Sequence, residues 1–228
     1  MTERPLRTVR SFVRRIGRTT AAQQRALDEM WPHLGLEPGA TPLNLLEVYG
    51  RTAPLILEIG FGMGDALAPL AAMHPEQDFL GIEVHRPGVG RLLSRLSEQG
   101  STNVRVFCAD AVEILKTRIP DQAFDRVLIF FPDPWHKKKH HKRRLIQPEF
   151  IQLLRCKLKV NGVLHLATDW QDYAEWMMGV LNTAEGFENL TGAGQYAERP
   201  EYRPVTKFES RGQRLGHGIW DLMFRKIS

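Results

Sequence analysis

A repeated strand–turn–helix pattern from residue 55 onward constrains the fold of this chain more than any other feature. Apolar runs at residues 55–59, 79–82, 104–109, 125–131 and 163–167 are each followed by a helical stretch, at residues 65–73, 86–99, 111–118, 148–158 and 172–181. Strands that alternate with helices form a mostly parallel sheet covered on both faces. Strand-like runs around Gly212, Gly216 and Gly218 indicate two final strands joined by a loop. The sequence therefore predicts an α/β fold with a seven-stranded, mostly parallel sheet.

The 228 residues suit one domain with a full core. Residues 1–18 are basic and rich in arginine, and we expect a flexible N-terminal segment there, followed by a single domain over residues 19–228. Thr20 is a candidate N-cap for a helix over residues 21–30 that Pro32 ends. The oligomeric state is not encoded in any recognisable pattern, so we expect a monomer and leave a homodimer open.

The net charge is +5, which favours a polyanionic partner. The longest apolar runs are too short to cross a bilayer, and no apolar segment follows the basic N-terminus, so neither a membrane span nor a secretory signal is expected. Cys108 and Cys156 stand singly without metal-ligand spacing, which is typical of a reducing compartment. The sequence predicts a cytoplasmic protein.

Ligands of such sheets bind at the carboxyl ends of the strands, so the residues that follow each strand are the first to consider. After the first strand, Gly60, Gly62 and Gly64 alternate in a turn flanked by Glu58 and Asp65. This spacing differs from the dinucleotide fingerprint, and flanking acids would repel a pyrophosphate but can accommodate a cation. An ordinary tight turn with capping acids is the simpler alternative.

Two further acids stand at successive strand ends. Glu83 comes 19 residues after Gly64 and can accept hydrogen bonds from ribose hydroxyls, and Asp110 can accept one from an adenine amine. Together with the glycine turn they predict a site for an adenosine-type ligand.

The fourth strand is followed by a proline-flanked acid and then by a strongly basic run. Pro132 and Pro134 fix the backbone around Asp133, and Trp135 follows. Six of the eight residues at 137–144 are lysine or arginine. This combination suits a flipped-out base that stacks on an aromatic ring while cations hold phosphates. A solvated charged loop is the alternative, and we expect no metal at the histidines of the run.

With these motifs, the sequence closely resembles the bacterial tRNA (guanine-N7-)-methyltransferases over essentially its whole length. The resemblance includes residues 10–15, 57–64, 81–85, 131–135 with the basic run, 167–170 and 206–212. It implies a Rossmann-like class I methyltransferase fold with a C-terminal antiparallel strand. It also implies S-adenosylmethionine as the cofactor, tRNA as the partner, and methylation at N7 of the variable-loop guanine, position 46 in tRNA numbering.

The resemblance also implies roles for individual residues. The expected cofactor-binding residues are Glu58, Gly60, Gly62, Gly64, Glu83, Asp110 and Asp133, of which Asp133 is also the expected catalytic residue. The expected substrate-binding residues are Lys137, Asp169, Thr206, Lys207, Phe208 and Glu209. The expected RNA-contacting residues are Lys139, His140, His141, Lys142, Arg143 and Arg144.

The chemistry of guanine N7 agrees with these roles. N7 carries a lone pair in the ring plane, so no strong base is needed, and a fixed carboxylate can offset the positive charge that reaches the base. Asp169 or Glu209 could accept hydrogen bonds from guanine N1–H and the 2-amino group. Three other functions remain as alternatives: a nicotinamide-dependent oxidoreductase, a non-enzymatic RNA-binding protein, and a methyltransferase acting on an exocyclic amine. The glycine spacing, the set of strand-end acids and the order Pro-Asp-Pro-Trp argue against each in turn.

Overall fold

The computed structural model describes residues 17–205, 209 and 218–228. Its centre is one eight-stranded sheet in the order β1-β4-β3-β2-β5-β6-β8-β7. The strands are β1 (Gly35–Leu36), β2 (Leu55–Ile59), β3 (Asp78–Ile82), β4 (Val104–Phe107), β5 (Phe124–Phe130), β6 (Leu158–Thr168), β7 (Phe187–Asn189) and β8 (Trp220–Lys226). Strands β1 to β6 run parallel, and β8 pairs antiparallel with both β6 and β7. The α/β class and the antiparallel C-terminal strand are confirmed.

Seven α-helices and one 3-10 helix connect the strands in the described part of the chain. The helices are α1 (Ala21–Leu34), α2 (Leu45–Tyr49), α3 (Leu67–Met73), α4 (Arg86–Gln99), α5 (Ala111–Thr117), α6 (Pro148–Lys157) and α7 (Gln171–Asn182), and the 3-10 helix spans Lys138–Arg143. All five residues of β2 and of β3 are buried, as expected for central strands covered on both faces. Two separate apolar clusters, one with Leu57 and Phe124, the other with Phe79 and Leu92, form the core.

The strand order reverses direction between β2 and β5, which are adjacent and parallel. From this point β3 and β4 extend to one side, and β6 and β8 to the other. A reversal of this kind opens a crevice at the carboxyl ends of the two central strands, because their connections leave in opposite directions. The fold therefore places the residues after β2 and β5 at one crevice.

The strand count and the last strand positions differ from the sequence prediction. An eighth strand, the two-residue β1, pairs with β4 at the edge of the sheet. Of the two final strands expected near the C-terminus, the described residues contain one, β8, which pairs on its far side with the earlier strand β7 at Phe187–Asn189. Gly212 and Gly216 lie outside the described residues. A three-residue edge strand carries too little alternation to be recognised in a sequence.

The predicted end of the first helix is also wrong, because α1 continues through Pro32 to Leu34. Proline inside a helix removes one hydrogen bond and crowds the preceding turn, at a cost of roughly 3 kcal/mol. Burial of Leu34 in the second core cluster and the bond from Gly35 N–H to the Trp31 carbonyl favour the longer helix. The Thr20 N-cap is present, with Gln23 completing a capping box.

The described residues contain neither a membrane-spanning helix nor a metal-binding cluster. No helix there has the length and apolar character required to span a membrane. No cluster of three or more histidine, cysteine, aspartate or glutamate residues with metal-ligand geometry occurs among them.

Candidate active site

A pocket of about 840 Å³ opens at the carboxyl ends of β2, β3, β4 and β5. Its lining includes Gly60, Glu83, Asp110 and Asp133, each of which follows a different strand. These four positions are far apart in the sequence, and the parallel sheet brings them to one crevice. The volume is within the range of small-molecule sites.

The glycine turn after β2 has a left-handed backbone, with φ values of 74° at Gly60 and 57° at Gly62. A Cβ atom at either position would meet no atom within 4 Å, so both backbones face open space. On its other side the turn is packed closely, since a Cβ at Gly88 in α4 would lie 2.1 Å from the Gly62 carbonyl oxygen. The turn is thus packed against α4 on one side, and on the other side its backbone faces open space without side chains.

Glu83 fastens this turn to the end of β3. Its Oε2 accepts a hydrogen bond from Gly62 N–H (2.8 Å), and its Oε1 accepts from the N–H groups of Val84 (2.7 Å) and His85 (2.9 Å). A carboxylate has about four acceptor positions, so one remains. In this arrangement Glu83 can accept from one ribose hydroxyl, not from both.

Glu58 lies in β2, 3% exposed, and is not among the residues that line the pocket. Among the described residues, its Oε2 has no hydrogen-bond partner. Burial, and then the nearby charges of Glu83 and Asp65, raise the pKa of this carboxyl from its ordinary value near 4.5 to about 8. A buried carboxyl of this kind is neutral at pH 7, and a cation in the crevice would favour its ionised form.

The raised pKa predicts how stability depends on pH. Between about pH 4.5 and pH 8, Glu58 is protonated in the folded state and ionised in the unfolded state. The folded state then binds more protons, so this group lowers the free energy of unfolding by about 1.4 kcal/mol per pH unit as pH rises through that window. We expect Glu58→Gln to be more stable than wild type at pH 8.5, with the difference shrinking towards pH 5.

The measurement is urea denaturation of the cofactor-free protein at several pH values. Glu149→Gln, an exposed acid in the first turn of α6, is the matched control and should show no such trend. Equal pH dependence in wild type and Glu58→Gln would contradict the assignment.

Asp110 caps α5, where its Oδ1 accepts a hydrogen bond from Val112 N–H at 2.9 Å. It is half-buried and lines the pocket beside Ala109 and Ala111. A capping carboxylate is fixed in direction by the helix that it caps. Its second oxygen is therefore a positioned acceptor at the pocket edge.

The loop after β5 carries Asp133 into the pocket mouth. Phe131 and Trp135 have left-handed backbones, with φ of 52° and 49°, which is costly for bulky residues. Phe131 N–H donates to the Ala167 carbonyl of β6 at 2.8 Å, which holds the first of these turns. Asp133, between two prolines, is exposed and lines the pocket. The loop thus presents an exposed carboxylate on a restrained backbone.

Aromatic and cationic side chains line the pocket mouth near Asp133 or contact residues that do. The Arg143 guanidinium lies 5.1 Å from the centre of the Trp135 ring, and the His140 ring meets Trp135 edge-on at 5.9 Å. His136 makes an edge-on contact with Trp170, 4.1 Å between ring centres. A planar base and its phosphates would meet stacking and charged partners here.

The basic run forms the 3-10 helix Lys138–Arg143, and its cations are not equivalent. Lys139 and Lys142 are exposed, whereas Arg144 is only 2% exposed. Arg144 pairs with Asp172 of α7, donates to the Pro134 carbonyl (3.0 Å) and lies over the Tyr173 ring. The structure therefore does not place Arg144 with the exposed cations, although the sequence prediction grouped them.

The predicted substrate residues are distributed unevenly. Lys137 is exposed and lines the pocket, and Asp169 follows β6, half-buried next to Trp170. Thr206, Lys207 and Phe208 lie outside the described residues. Glu209 is 1% exposed and bound to Arg203 through both carboxylate oxygens.

Sequence reasoning missed a buried polar cluster next to this site, made of His165, Tyr202, Arg203 and Asp221 with Glu209. One signal was available. His165 interrupts an otherwise apolar strand, and a fully buried histidine needs polar partners. The identity of those partners depends on the β6–β8 pairing, which the sequence alone does not reveal.

Comparison with known proteins identifies the family. A family model described as "Putative methyltransferase" matches residues 52–222. A curated tRNA (guanine-N(7)-)-methyltransferase of Edwardsiella ictaluri (strain 93-146) is 58% identical over 224 residues, covering 98% of this chain and 94% of that protein. The protein of the same name from Stutzerimonas stutzeri (strain A1501) is 57% identical over 223 residues, with coverage of 98% and 94%.

Solved structures agree on the fold. The 16S rRNA methyltransferase KamB superposes with a TM-score of 0.62 at 14% identity, covering 85% of this chain and 96% of that one. The SAM complex of a 16S rRNA (adenine(1408)-N(1))-methyltransferase variant from Catenulisporales acidiphilia gives 0.54 at 13%, with coverage of 80% and 89%. The fold is thus that of solved methyltransferases, and the chain belongs to the family of tRNA (guanine-N(7)-)-methyltransferases.

Proposed function

We propose that this protein transfers the methyl group of S-adenosylmethionine to N7 of the variable-loop guanine of tRNA, position 46, giving 7-methylguanosine and S-adenosylhomocysteine. One observation carries the proposal at the level of structure. The pocket brings Gly60, Glu83, Asp110 and Asp133 together beside an exposed basic helix. The family supports the choice of tRNA and of N7.

The residues of the crevice fit S-adenosylmethionine. Gly60 and Gly62 leave open space where side chains would stand, Glu83 keeps one acceptor position, and Asp110 offers a positioned oxygen. The buried, unpartnered oxygen of Glu58 favours a cation nearby. When bound, the cofactor supplies an electrophilic methyl group on a positively charged sulfur. We assign its binding to these residues and to Asp133.

Asp133 is the proposed catalytic residue. Guanine N7 attacks through a lone pair and loses no proton, so the protein must mainly align the base and balance the charge that moves onto it. Asp133 can do both, because its carboxylate lies at the pocket mouth on a loop restrained by two prolines and the Phe131 hydrogen bond. Lys137 and Asp169 are the proposed contacts to the target nucleotide.

The proposed RNA surface consists of the cations and histidines of the 3-10 helix, Lys139, His140, His141, Lys142 and Arg143. The exposed lysines are suited to hold phosphates, and Arg143 can do so while its guanidinium lies over Trp135. Arg144 supports the surface in another way, by tying the loop to α7 through Asp172. Its contribution to RNA binding is therefore proposed to be indirect.

Neutralising this surface should change the salt dependence of tRNA binding. For the triple variant Lys139→Ala, Lys142→Ala, Arg143→Ala, we expect weaker binding and a log–log salt slope reduced by about 2 to 3 units, because up to three phosphate contacts are lost. Binding would be followed by fluorescence anisotropy of labelled tRNA between about 50 and 300 mM salt, because phosphate contacts make affinity depend strongly on salt in this range.

The matched control removes three cations from the opposite edge of the sheet. Lys116 lies in the last turn of α5, Lys159 is the second residue of β6 and Arg225 is the last but one of β8, so all three lie away from the pocket. Their triple alanine variant should keep the wild-type slope. A loop variant with an unchanged slope would remove the 3-10 helix from the RNA surface.

The remaining proposals concern organisation. We propose that residues 19–228 form the methyltransferase domain, that residues 1–18 are an accessory basic segment, and that the enzyme works as a cytoplasmic monomer. Sedimentation of the protein with and without tRNA would test the monomeric state.

The test of the reaction is product analysis. The purified protein would be incubated with unmodified tRNA transcript and methyl-labelled S-adenosylmethionine, and the digested nucleosides identified. Labelled 7-methylguanosine that disappears when position 46 is changed to adenosine would support the proposal. Label in another nucleoside, or binding of the cofactor without labelling, would overturn it.

A further inference from the structure

Arg203 is a fully buried cation next to the pocket loop, with 0% of its side chain exposed. It binds both oxygens of Glu209, through Nη1 at 2.7 Å and Nη2 at 3.0 Å. It also pairs with Asp221 in β8, where Nη2 donates to Oδ2 at 2.9 Å and Nε lies 2.7 Å from Oδ1 as an ion pair without hydrogen-bond geometry. One guanidinium thus joins Asp221 in β8 to Glu209, which lies 12 positions earlier in the sequence.

Asp221, one of the two carboxylates that orient Arg203, is itself held by His165, which contacts Tyr202. His165 Nε2 lies 2.7 Å from Asp221 Oδ1, and the Tyr202 hydroxyl lies 2.8 Å from His165 Nδ1. An ionised carboxylate only accepts, so Nε2 donates to Asp221 and Nδ1 accepts from the hydroxyl of Tyr202. Burial, first of all, lowers the pKa of His165, which keeps the ring in this neutral form. The donors and acceptors of this chain are therefore mutually consistent.

On the side facing β5, Arg203 packs against the start of the loop that carries Asp133, the proposed catalytic residue. Its guanidinium carbon lies 6.0 Å from the centre of the Phe130 ring and 5.7 Å from that of Phe131. Phe131 is the left-handed residue after β5, two positions before Asp133. A shift of the guanidinium would remove the support of a strained turn. Arg203 thus connects the turn before Asp133 with Glu209.

Glu209 itself is poorly placed to recognise a base directly. It is 1% exposed, and both of its oxygens bind Arg203. Turning it towards a guanine would leave a buried guanidinium without one of its two carboxylates, which is strongly unfavourable.

We infer that Arg203 is a positioning residue for methyl transfer, which holds Glu209 and the Phe131 turn in a fixed relation, and that Glu209 acts through Arg203 and not by binding the guanine. The inference rests on the proposed function. It replaces the expected base contact of Glu209 with an indirect role.

The test is a double-mutant cycle of Arg203→Met, Glu209→Gln and the double variant, with Arg203→Lys as the conservative variant. We expect each single variant to lower kcat about tenfold or more, with KM for tRNA within roughly threefold of wild type, since alignment and not binding is lost. The double variant should be no worse than the poorer single one, because both act through the same contact. Arg203→Lys should regain part of kcat.

A second readout separates positioning from base recognition. Inosine lacks the 2-amino group, so the ratio of kcat/KM for tRNA with guanosine or inosine at the target position reports any contact to that group. We expect Glu209→Gln to keep the wild-type ratio. Lys157→Met is the stability control, since Lys157 is also buried and holds Asp121 and the Ile119 carbonyl at the start of β6, away from the pocket.

Three results would overturn the inference. A guanosine-to-inosine ratio that collapses in Glu209→Gln would show that Glu209 touches the base. A kcat for Arg203→Met and Glu209→Gln no lower than that of Lys157→Met would show a purely structural role. Should the Arg203 variants not fold, Glu209→Gln alone decides through its ratio and its kcat. A wild-type protein that forms no 7-methylguanosine would instead overturn the proposed function, and the inference with it.

Discussion

Replacing Asp133 with alanine is expected to lower kcat about a hundredfold or more while the protein still folds. The carboxylate is exposed at the pocket mouth, so its removal leaves no cavity in the core. In the proposed mechanism, the variant loses a negative charge beside the base that becomes positive, and a group that orients this base. Single-turnover methylation of tRNA at saturating cofactor measures the chemical step directly.

Two companion variants make this result specific. Asp133→Asn keeps the shape but not the charge, so a loss similar to that of the alanine variant would assign the effect to electrostatics. Asp28→Ala removes an exposed carboxylate on α1 that accepts from the Gln24 side chain at 2.8 Å, and should leave kcat unchanged. Near-normal turnover of Asp133→Ala would exclude this residue from the chemistry.

Replacing Gly88 with alanine is expected to weaken S-adenosylmethionine binding and to lower the rate of methyl transfer by about a hundredfold, the loss of rate associated with a displacement of about 1 Å in a site. The added Cβ would lie 2.1 Å from the Gly62 carbonyl oxygen, a contact that no side-chain rotation relieves because both partners are backbone-bound. The glycine turn must then move away from α4, and the bond from Gly62 N–H to Glu83 is strained with it. Isothermal titration calorimetry with the cofactor measures the effect.

Gly179→Ala is the matched control for this change. Gly179 also lies within a helix, α7, but a Cβ there would meet nothing within 4 Å. Alanine should therefore stabilise the helix by about 0.5 to 1 kcal/mol and leave cofactor binding as it is. If Gly88→Ala bound the cofactor as tightly as Gly179→Ala, the close packing of α4 on the turn would not determine the site.

The sequence predicted the parts of the site that depend on chain connectivity. Gly60, Glu83, Asp110 and Asp133 each stand within three residues of the end of a strand, and the residues after parallel strands meet at one edge of the sheet. This reasoning needs no knowledge of side-chain packing. It was sufficient to place the pocket and its acids.

The sequence could not distinguish cations that face solvent from cations that hold the fold. Arg143 and Arg144 are neighbours in one basic run, yet only Arg144 is buried, because Asp172 and Tyr173 of α7 lie against it. Arg203 is similar, since its partners Glu209 and Asp221 come together only when β8 pairs with β6. Residue type and spacing contain no information on such distant pairing.

The buried carboxyl of Glu58 limits how far the thermal stability of this protein can be raised without affecting its site. Its Oε2 has no partner among the described residues, and its ionisation is opposed by burial and by neighbouring acids. A directed-evolution screen that rewards only heat resistance in alkaline buffer would tend to discard this carboxyl and to enrich for neutral side chains at position 58. Such a library would lose a carboxyl that we propose to favour the cationic cofactor, so selections for heat-resistant variants need a cofactor-dependent step in each round.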